Sequence, residues 1–494
     1  MADRGWTTVG HRIPAAQRHG REQEQREREA IAGWDKDDHW PGINKPLFQT
    51  SDAKRFDGSL EKIGDLGHGA FGRVDMVKHG GVALARKRIA RRRGITIDDL
   101  RQEGLTMAKL DHCHVVRLVA TYAPKSHELC LLIWPAAVCS LSVLLDDIDS
   151  LRLGDGGADE TAERLDRLDA LHLLGGADDD DMGGDTTRDS AGEDADWRHV
   201  AGNKTAPPPP GAHFRLRLPS RDLQRIQSGD GDGRPFDFLC GLLGCVARAM
   251  AHCHAQGVRH LDIKPSNILL NPGRVYLADF GISRDVSGQD QTTTDGMPGT
   301  ERWRAPELYG DDGSSMQLSD MYSLGLVYLA VATVLYNARL ADLDKALAYP
   351  GPSSLDLDGR LRGREDRLRR HLDKLTAHAL VTRRFRFTYE GQETVRARPV
   401  LSLIASMVSA APRARPSARK VDERLSVLGG LQQIYHAGCC RRGLPWLEDR
   451  LDRKLRDLAG HRDRSEQQLA TLRDGHEQQR ARIQALEGMD ETPS

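Results

Sequence analysis

The sequence has almost no net charge and no paired cysteine motif. Its 71 basic and 72 acidic residues leave a formal net charge of -1, so no global field attracts nucleic acid or an anionic membrane. The eight cysteines are scattered, without the Cys-x-x-Cys spacing of a zinc site or the pattern of a disulfide framework. We therefore expect reduced thiols, no nucleic-acid partner and an intracellular protein, cytoplasmic or nuclear.

Features that direct a chain to a membrane are also scarce. Residues 1–28 are polar and lack the apolar core of a signal peptide, and Ala2 is not the glycine that N-myristoylation requires. The most apolar run, residues 321–335, is short for a bilayer span and contains two tyrosines and a serine. We predict a soluble protein with no membrane partner, in which this run is a buried helix.

With 494 residues, the chain exceeds what one hydrophobic core normally organises. Residues 1–55 mix charge runs with Trp34 and Trp40, a composition that could form one amphipathic helix or stay mobile, and we predict a disordered leader there. Residues 146–233 are acidic and rich in glycine, with a run of four prolines, and we predict a mostly disordered low-complexity insertion, in which short apolar segments such as residues 165–174 could form a helix. Residues 437–494 indicate a charged helical tail with a broken heptad trace, so its coiled-coil potential is weak and the oligomeric state stays open.

Two motifs in the second half of the chain carry the chemistry of phosphoryl transfer. They are His-Leu-Asp-Ile-Lys-Pro-Ser-Asn at 260–267 and Asp-Phe-Gly at 279–281. Asp262 can accept a hydroxyl proton, and Lys264 can neutralise a moving phosphoryl group. Asn267 and Asp279 can hold Mg²⁺, so the pair of motifs predicts transfer of the γ-phosphate of a nucleotide.

A glycine-rich loop lies upstream and fits the pattern G-x-G-x-x-G-x-V over residues 67–74. Gly67, Gly69 and Gly72 lack a Cβ atom, which allows a hairpin backbone to close over phosphates and donate N–H groups. An apolar strand starts at Val74, directly after the loop, whereas a dinucleotide-binding loop would open a helix. The flanking sequence therefore favours a strand-turn-strand cover for a nucleotide.

In this order, the motifs resemble the eukaryotic-type Ser/Thr protein kinase family over about residues 67–417, with some similarity to kinases of filamentous fungi. The resemblance implies an α+β bilobal fold. Its small β-rich N-lobe with one helix would span 56–134, and its larger α-helical C-lobe would span 135–436, interrupted by the insertion. The implied function is Mg-ATP-dependent transfer of phosphate to Ser/Thr hydroxyls of protein substrates.

The resemblance also assigns a nucleotide site. Lys87 would bind phosphate and Glu103 would pair with it, while strand alternation places Arg86 and Arg88 on the opposite face, pointing to solvent. The remaining assigned positions are the gatekeeper Ile133, the hinge backbone of Trp134 and Ala136, and the apolar walls Val74, Ala85 and Leu269.

Further positions follow from the same resemblance. Thr300 would hydrogen-bond Asp262 and Lys264, and Asp320 would anchor the backbone of the catalytic loop. Glu307 would form a buried ion pair with Arg415.

One departure and two alternatives stay open. Leu261 replaces the arginine that normally meets an activation-loop phosphate, so switching through the candidate phosphosites at 292–294 should be weak or absent. The first alternative is a pseudokinase or scaffold that recruits partners through its insertion and termini. The second is a kinase of a small alcohol or sugar, against which the segment ending at Glu307 argues because it resembles one that holds an extended peptide.

Overall fold

The computed structural model describes most of the chain between residues 15 and 487. The described residues are 15–43, 50–69, 72–91, 96–174, 224, 226–227, 234–280, 284–285, 300–309, 317–348, 356–382, 384, 386–389, 392–395, 397–426, 434–436, 439–440 and 442–487. A few side chains inside helices and strands, that of Glu103 among them, also lie outside the description. The chain divides into two compact units, residues 1–441 and 442–494.

Two helices precede the first strand, α1 (Ala15–Trp34) and α2 (Thr50–Ser59). The expectation of a disordered leader over 1–55 is therefore wrong for the described part of that segment. Its aromatic residues explain the order, because Trp40 is 2% exposed and its ring lies 4.8 Å from that of Trp34 and 5.6 Å from that of Phe56. Burying such rings is among the largest single gains available to a short segment.

A five-stranded antiparallel sheet follows, with strand order β1-β2-β3-β5-β4. Its strands are β1 (Glu61–Gly69), β2 (Gly72–His79), β3 (Val82–Ala90), β4 (Arg117–Lys125) and β5 (Glu128–Trp134), and helix α3 (Ile97–Ala108) connects β3 to β4. Leu84 and Leu132 on one face pack with α1 and α2, whereas Leu131 on the other face joins the main core. This alternation is what a sheet buried on both faces requires.

The prediction that Arg86 and Arg88 point into solvent is wrong. Both side chains lie on the face of β3 opposite to that of Lys87, as alternation requires. Arg86 is nevertheless only 4% exposed. Helix α2 covers this face and supplies Asp57, whose carboxylate is 2.9 Å from Arg86 and 3.1 Å from Arg88. The covering helix thus turns a charged strand face into an interior one.

The rest of the first unit is mainly helical. Its helices are α4 (Leu141–Leu153), α5 (Ala158–Ala170), α6 (Arg234–Ala255), α7 (Gln317–Leu335), α8 (Leu340–Leu347), α9 (Leu357–Val381), α10 (Ala397–Met407) and α11 (Ala418–Leu425). Short strand pairs connect them, namely β6 (Cys139–Ser140) with β8 (Ile268–Asn271) and β9 (Arg274–Leu277), β7 (Val258–Arg259) with β10 (Arg284–Asp285), and β11 (Arg386–Tyr389) with β12 (Gln392–Val395).

Helix α7 forms the centre of this helical part. Every residue from Ser319 to Leu335 is buried, which confirms the predicted buried helix. By length and composition α6 and α7 could each cross a membrane, yet 72% and 89% of their apolar windows are buried inside the protein. A core helix satisfies the same criterion, so this is weak evidence for a membrane span.

The predicted disordered insertion is folded at its beginning. Helices α4 and α5 occupy residues up to Ala170, and Leu168 and Leu171 reach the main core. Asp147 accepts two hydrogen bonds from Arg167, at 2.7 and 2.8 Å, so an acidic residue that suggested disorder is fixed by a partner. The acidic run at 178–181 and the proline run at 207–210 lie outside the described residues.

The second unit contains one long helix, α12 (Leu444–Glu487). Within it Arg453 pairs with Asp449 at 2.7 Å, one helical turn away. Leu455 and Leu458 are 62% and 64% exposed. The charged tail is thus helical in its described part, while its coiled-coil potential stays a prediction.

Candidate active site

The glycine-rich loop joins β1 to β2, and its stems require glycine. Gly67 and Gly72 have φ values of 137° and 142°, in a region that side chains rarely adopt. A Cβ atom on Gly72 would lie 1.9 Å from the carbonyl oxygen of Arg88. Gly69 pairs with Gly72 at the end of the hairpin, which is therefore the strand-turn-strand that the sequence predicts; residues 70–71 lie outside the description.

The apolar positions predicted to contact a base share one face of the sheet with Lys87. In the strand register Val74 is opposite Lys87, and Ala85 is opposite Ile133. Directly opposed residues point to the same face. Val74 and Ile133 are partly exposed, as side chains at the edge of a ligand site would be.

Lys87 reaches across to the second motif. Its Nζ atom lies 2.7 Å from Oδ1 of Asp279, although 192 positions separate the two residues in sequence. Burial by itself raises the pKa of Asp279, but Lys87, with smaller contributions from His260 and Lys264, lowers the pKa below its ordinary value. The predicted pairing of Lys87 with Glu103 concerns a side chain outside the description and stays a prediction.

Four residues of the catalytic loop and its neighbour form one hydrogen-bonded group. Lys264 Nζ donates to Asp262 Oδ2 at 2.7 Å and to Thr300 Oγ1 at 2.8 Å. The backbone N–H and the hydroxyl of Thr300 each donate to Asp262 Oδ1 at 2.9 Å. Asn267 Nδ2 donates to the Asp262 carbonyl at 2.8 Å. The structure thus brings together all four predicted catalytic side chains.

A buried aspartate holds the loop from behind. Asp320 is 1% exposed and accepts hydrogen bonds from the backbone N–H groups of His260 and Leu261 at 2.9 and 2.8 Å. Leu261 has φ of 66°, a left-handed conformation that costs a non-glycine residue roughly 1 kcal/mol or more. The predicted anchoring role of Asp320 is confirmed, and it acts on the backbone of a strained residue.

Sequence reasoning did not identify the histidines that support this anchor. His254 Nε2 lies 3.0 Å from Asp320, and His260 Nε2 lies 2.9 Å from the carbonyl of Ala278, next to Asp279. His260 therefore links the two motifs directly. Its place at the start of the first motif was the available signal.

The predicted pair of Glu307 and Arg415 is confirmed. Arg415 Nη1 and Nη2 donate to the two carboxylate oxygens of Glu307 at 2.7 and 2.8 Å, and the arginine side chain is fully buried. Such a bidentate pair fixes both partners in one plane. It ties the segment after Thr300 to residues near the start of α11.

The predicted hinge has its tryptophan turned away from the Lys87 face. Trp134 is 1% exposed, and its indole N–H donates to Glu27 of α1 at 2.7 Å. The carbonyl of Ala136 accepts from Asn271 at 3.2 Å, and Leu269, on the same short strand β8, is partly exposed. Contact of α1 with the hinge was not predicted, because the charged texture of residues 22–29 suggested disorder.

The donor set near Asp279 suits a hard divalent cation. Because the Nδ2 group of Asn267 donates to Asp262, the side-chain oxygen of Asn267 is the atom left to bind a cation. The Ala278 N–H donates to the Asn267 carbonyl at 2.9 Å, which holds Asn267 beside Asp279. Amide and carboxylate oxygens are ligands that Mg²⁺ prefers, so Asn267 and Asp279 fit an Mg²⁺ ion.

Comparisons with known proteins agree with this geometry. Residues 240–424 match the family model described as the protein kinase domain. The chain is 42% identical over 103 residues to the human receptor-interacting serine/threonine-protein kinase 3, covering 20% of each protein. It is 44% identical over 94 residues to the serine/threonine-protein kinase PknA of Mycobacterium tuberculosis, covering 18% of this chain and 21% of the relative.

A plant relative extends the range of these matches. The chain is 38% identical over 94 residues to the serine/threonine-protein kinase RUNKEL of Arabidopsis thaliana, which is 19% of this chain and 7% of that protein. The chain spans between 7% and 25% of the length of the first curated relatives it matches. The similarity to filamentous-fungal kinases stays a prediction.

Proposed function

Because this chain belongs to the eukaryotic-type Ser/Thr protein kinase family, we propose that it transfers the γ-phosphate of ATP to serine or threonine hydroxyls of protein substrates. Protein kinase domains use ATP and a divalent cation, and the finer assignment to Mg²⁺ is part of the proposal. The sheet of β1–β5 with α3 would be the small lobe, and the helical part from α4 to α11 the large lobe. ATP would lie between them.

The single observation that carries the proposal is the arrangement around Asp262. Asp262 is 5% exposed, and its carboxylate is oriented by Lys264 and Thr300. The acceptor hydroxyl would donate its proton to Asp262 as its oxygen bonds to the γ-phosphorus and the bond to the bridging oxygen breaks. ADP leaves, and Lys264 offsets charge on the transferred group.

The nucleotide would be held by residues on the Lys87 face. Val74, Ala85 and Ile133 would contact the base, and the β1–β2 hairpin would cover the phosphates with its N–H groups. Mg²⁺, held by Asn267 and Asp279, would neutralise phosphate charge when bound. Lys87 would exchange part of its contact with Asp279 for phosphate oxygens.

The pseudokinase alternative is not favoured, since the side chains expected to touch phosphate and metal are present. The proposal also includes an intracellular site of action and no membrane or nucleic-acid partner. None of the eight cysteines forms a disulfide, which supports a reducing compartment.

The proposal is tested with the purified full chain, γ-labelled ATP, Mg²⁺ and a generic basic protein. We expect Asp262→Asn to lower phosphate transfer by about 10²–10⁴-fold, the range of general-base contributions. Asp166→Asn, the same exchange at an exposed position of α5, should match the wild type. Equal label from wild type and Asp262→Asn would instead favour the scaffold.

A further inference from the structure

Four potential metal ligands from distant parts of the chain converge beside strand β9. His114 follows α3, Cys245 lies on α6, and Cys439 and Cys440 follow α11. Their ligand atoms, one from each side chain, all lie within 4.8 Å of one another. Three of the four residues are buried, and Cys439 is partly buried. Because the ligands come from three separate segments, the sequence shows no metal-binding spacing, and a zinc site was not expected from it.

The distances fit a shared ion better than a covalent bond. Sγ of Cys245 lies 3.4 Å from Sγ of Cys439, whereas a disulfide requires about 2.05 Å. His114 Nε2 lies 3.0 Å from Sγ of Cys440. In a tetrahedral zinc site with Zn–S of about 2.3 Å, neighbouring ligand atoms are about 3.5–3.8 Å apart. The two close pairs would move outward and pairs nearer to the 4.8 Å limit would move inward, by about 1 Å or less, to seat the ion.

The tautomer of His114 also suits a ligand. Its Nδ1 atom lies 2.8 Å from the carbonyl oxygen of Val275. A carbonyl only accepts, so Nδ1 carries the proton and Nε2 presents its lone pair toward the thiols. Metal-binding histidines commonly donate their second N–H to a backbone carbonyl in this way.

The surroundings hold the C-terminal ligands firmly on α6. A Cβ atom on Gly244 would lie 1.8 Å from the carbonyl oxygen of Ile434, so the chain before Cys439 contacts the helix backbone directly. Arg248, one turn after Cys245, donates to the carbonyl of Cys440 and pairs with Asp422 at 3.1 Å. His436 Nδ1 lies 3.6 Å from Sγ of Cys245, and its Nε2 donates to the Phe238 carbonyl at 2.8 Å.

We propose that His114, Cys245, Cys439 and Cys440 form a structural zinc site that ties the segment after α3 and the C-terminal end of the first unit to α6. Three soft thiolates with one imidazole select zinc, and four protein ligands leave no open position for catalysis. The carbonyl of His114 accepts from Leu277 at 2.8 Å, two residues before Asp279. The ion would therefore stiffen the strand that leads into the proposed active site, while its binding does not depend on kinase activity.

The full chain, produced with zinc in the medium and purified reduced, tests the site by elemental analysis. We expect about one zinc per chain in the wild type and less than about a fifth of that in the double variant Cys439→Ser/Cys440→Ser. The double variant is needed because the Cys113 thiol interacts with that of Cys440 and could replace a single ligand. Cys240→Ser, on the same helix as Cys245 but outside the cluster, should retain its zinc.

Cobalt substitution keeps the test decisive if the double variant fails to fold. Wild-type protein loaded with Co²⁺ should show the visible bands of tetrahedral cobalt and the sulfur-to-metal charge-transfer band of thiolate ligation. His114→Cys, which keeps four soft ligands, should retain zinc and alter these bands. Wild-type protein with no zinc and no such cobalt spectrum would overturn the proposal, as would full zinc in a folded double variant.

Discussion

The two faces of strand β3 carry two groups of charged residues that differ in what lies over them. The cleft cluster, on and across from the Lys87 face, consists of Lys87, Asp262, Lys264, Asn267, Asp279 and Thr300. The cover cluster, on the opposite face, consists of Asp57, Asp75, Arg86, Arg88, Tyr122 and Glu128. Neighbouring residues of one strand therefore belong to different chemical environments.

The members of the cover cluster pair extensively with one another. Asp57 accepts from Arg86, from Arg88 and from Tyr122, the last at 2.5 Å, and Arg88 also pairs with Glu128 at 2.6 Å. The cleft cluster is also largely buried, with Lys87 7% and Asp262 5% exposed, but Thr300 is exposed and the side chain of Asp279 is 28% exposed. Helix α2 covers the first cluster, whereas Thr300 and Asp279 leave the second partly open to a substrate.

The largest expected effect comes from replacing Lys87 or Arg88, two adjacent charged residues of β3, one at a time. Lys87→Met should lower phosphate transfer by about 10²–10³-fold, since a preorganised charge on the phosphates is lost, with little change in unfolding. Arg88→Met should lower stability and retain most activity per folded molecule. Rates and urea unfolding curves are measured on both variants; a comparable loss of activity in both would contradict the division between the two faces.

The next effect concerns the stability that the cover cluster provides. Asp57→Ala removes one carboxylate that has three partners, and two arginines lose a negatively charged partner. We therefore expect a loss of about 2–3 kcal/mol in the free energy of unfolding. Asp52→Ala on the same helix removes an exposed carboxylate that is 3.8 Å from Arg55. It should cost less than about 1 kcal/mol. Equal losses in urea unfolding would show that the cover cluster adds nothing specific.

Sequence reasoning served the two clusters unequally. Asp262, Lys264 and Asn267 lie within six residues, and the motif that they form, with its resemblance to the kinase family, allowed the group to be predicted. The pairing of Glu307 with Arg415 also came from a recognisable pattern. Asp57 belongs to no motif, and its role depends on how α2 packs, which neither composition nor periodicity reveals. The histidine and cysteines beside α6 were missed for the same reason, because their proximity is created only by the fold.

The effect of pH on the cover cluster is smaller and has a definite sign. Burial by itself raises the pKa of Asp57, but Tyr122, Arg86 and Arg88 lower the pKa below its ordinary value of 3.8. The stability from this ionised carboxylate is present above that value and is lost as the pH falls through the lowered pKa. The difference in unfolding free energy between wild type and Asp57→Asn should be constant near neutral pH and shrink below pH 3.8. A difference that grows on acidification would contradict the assignment of these contacts.

The smallest expected effect concerns whether the cleft cluster, like the cover cluster, is complete without a phosphate on the activation loop. Leu261 is 7% exposed and cannot make a charge-assisted hydrogen bond to an activation-loop phosphate, while Asp320 already fixes its backbone. Replacing Thr292, Thr293 and Thr294, which lie outside the described residues, by alanine should therefore leave basal transfer largely unchanged. Initial rates of the triple variant are compared with those of wild type and of Asp262→Asn. A fall to the Asp262→Asn rate would mean that the cleft cluster, unlike the cover cluster, depends on a phosphate at these threonines.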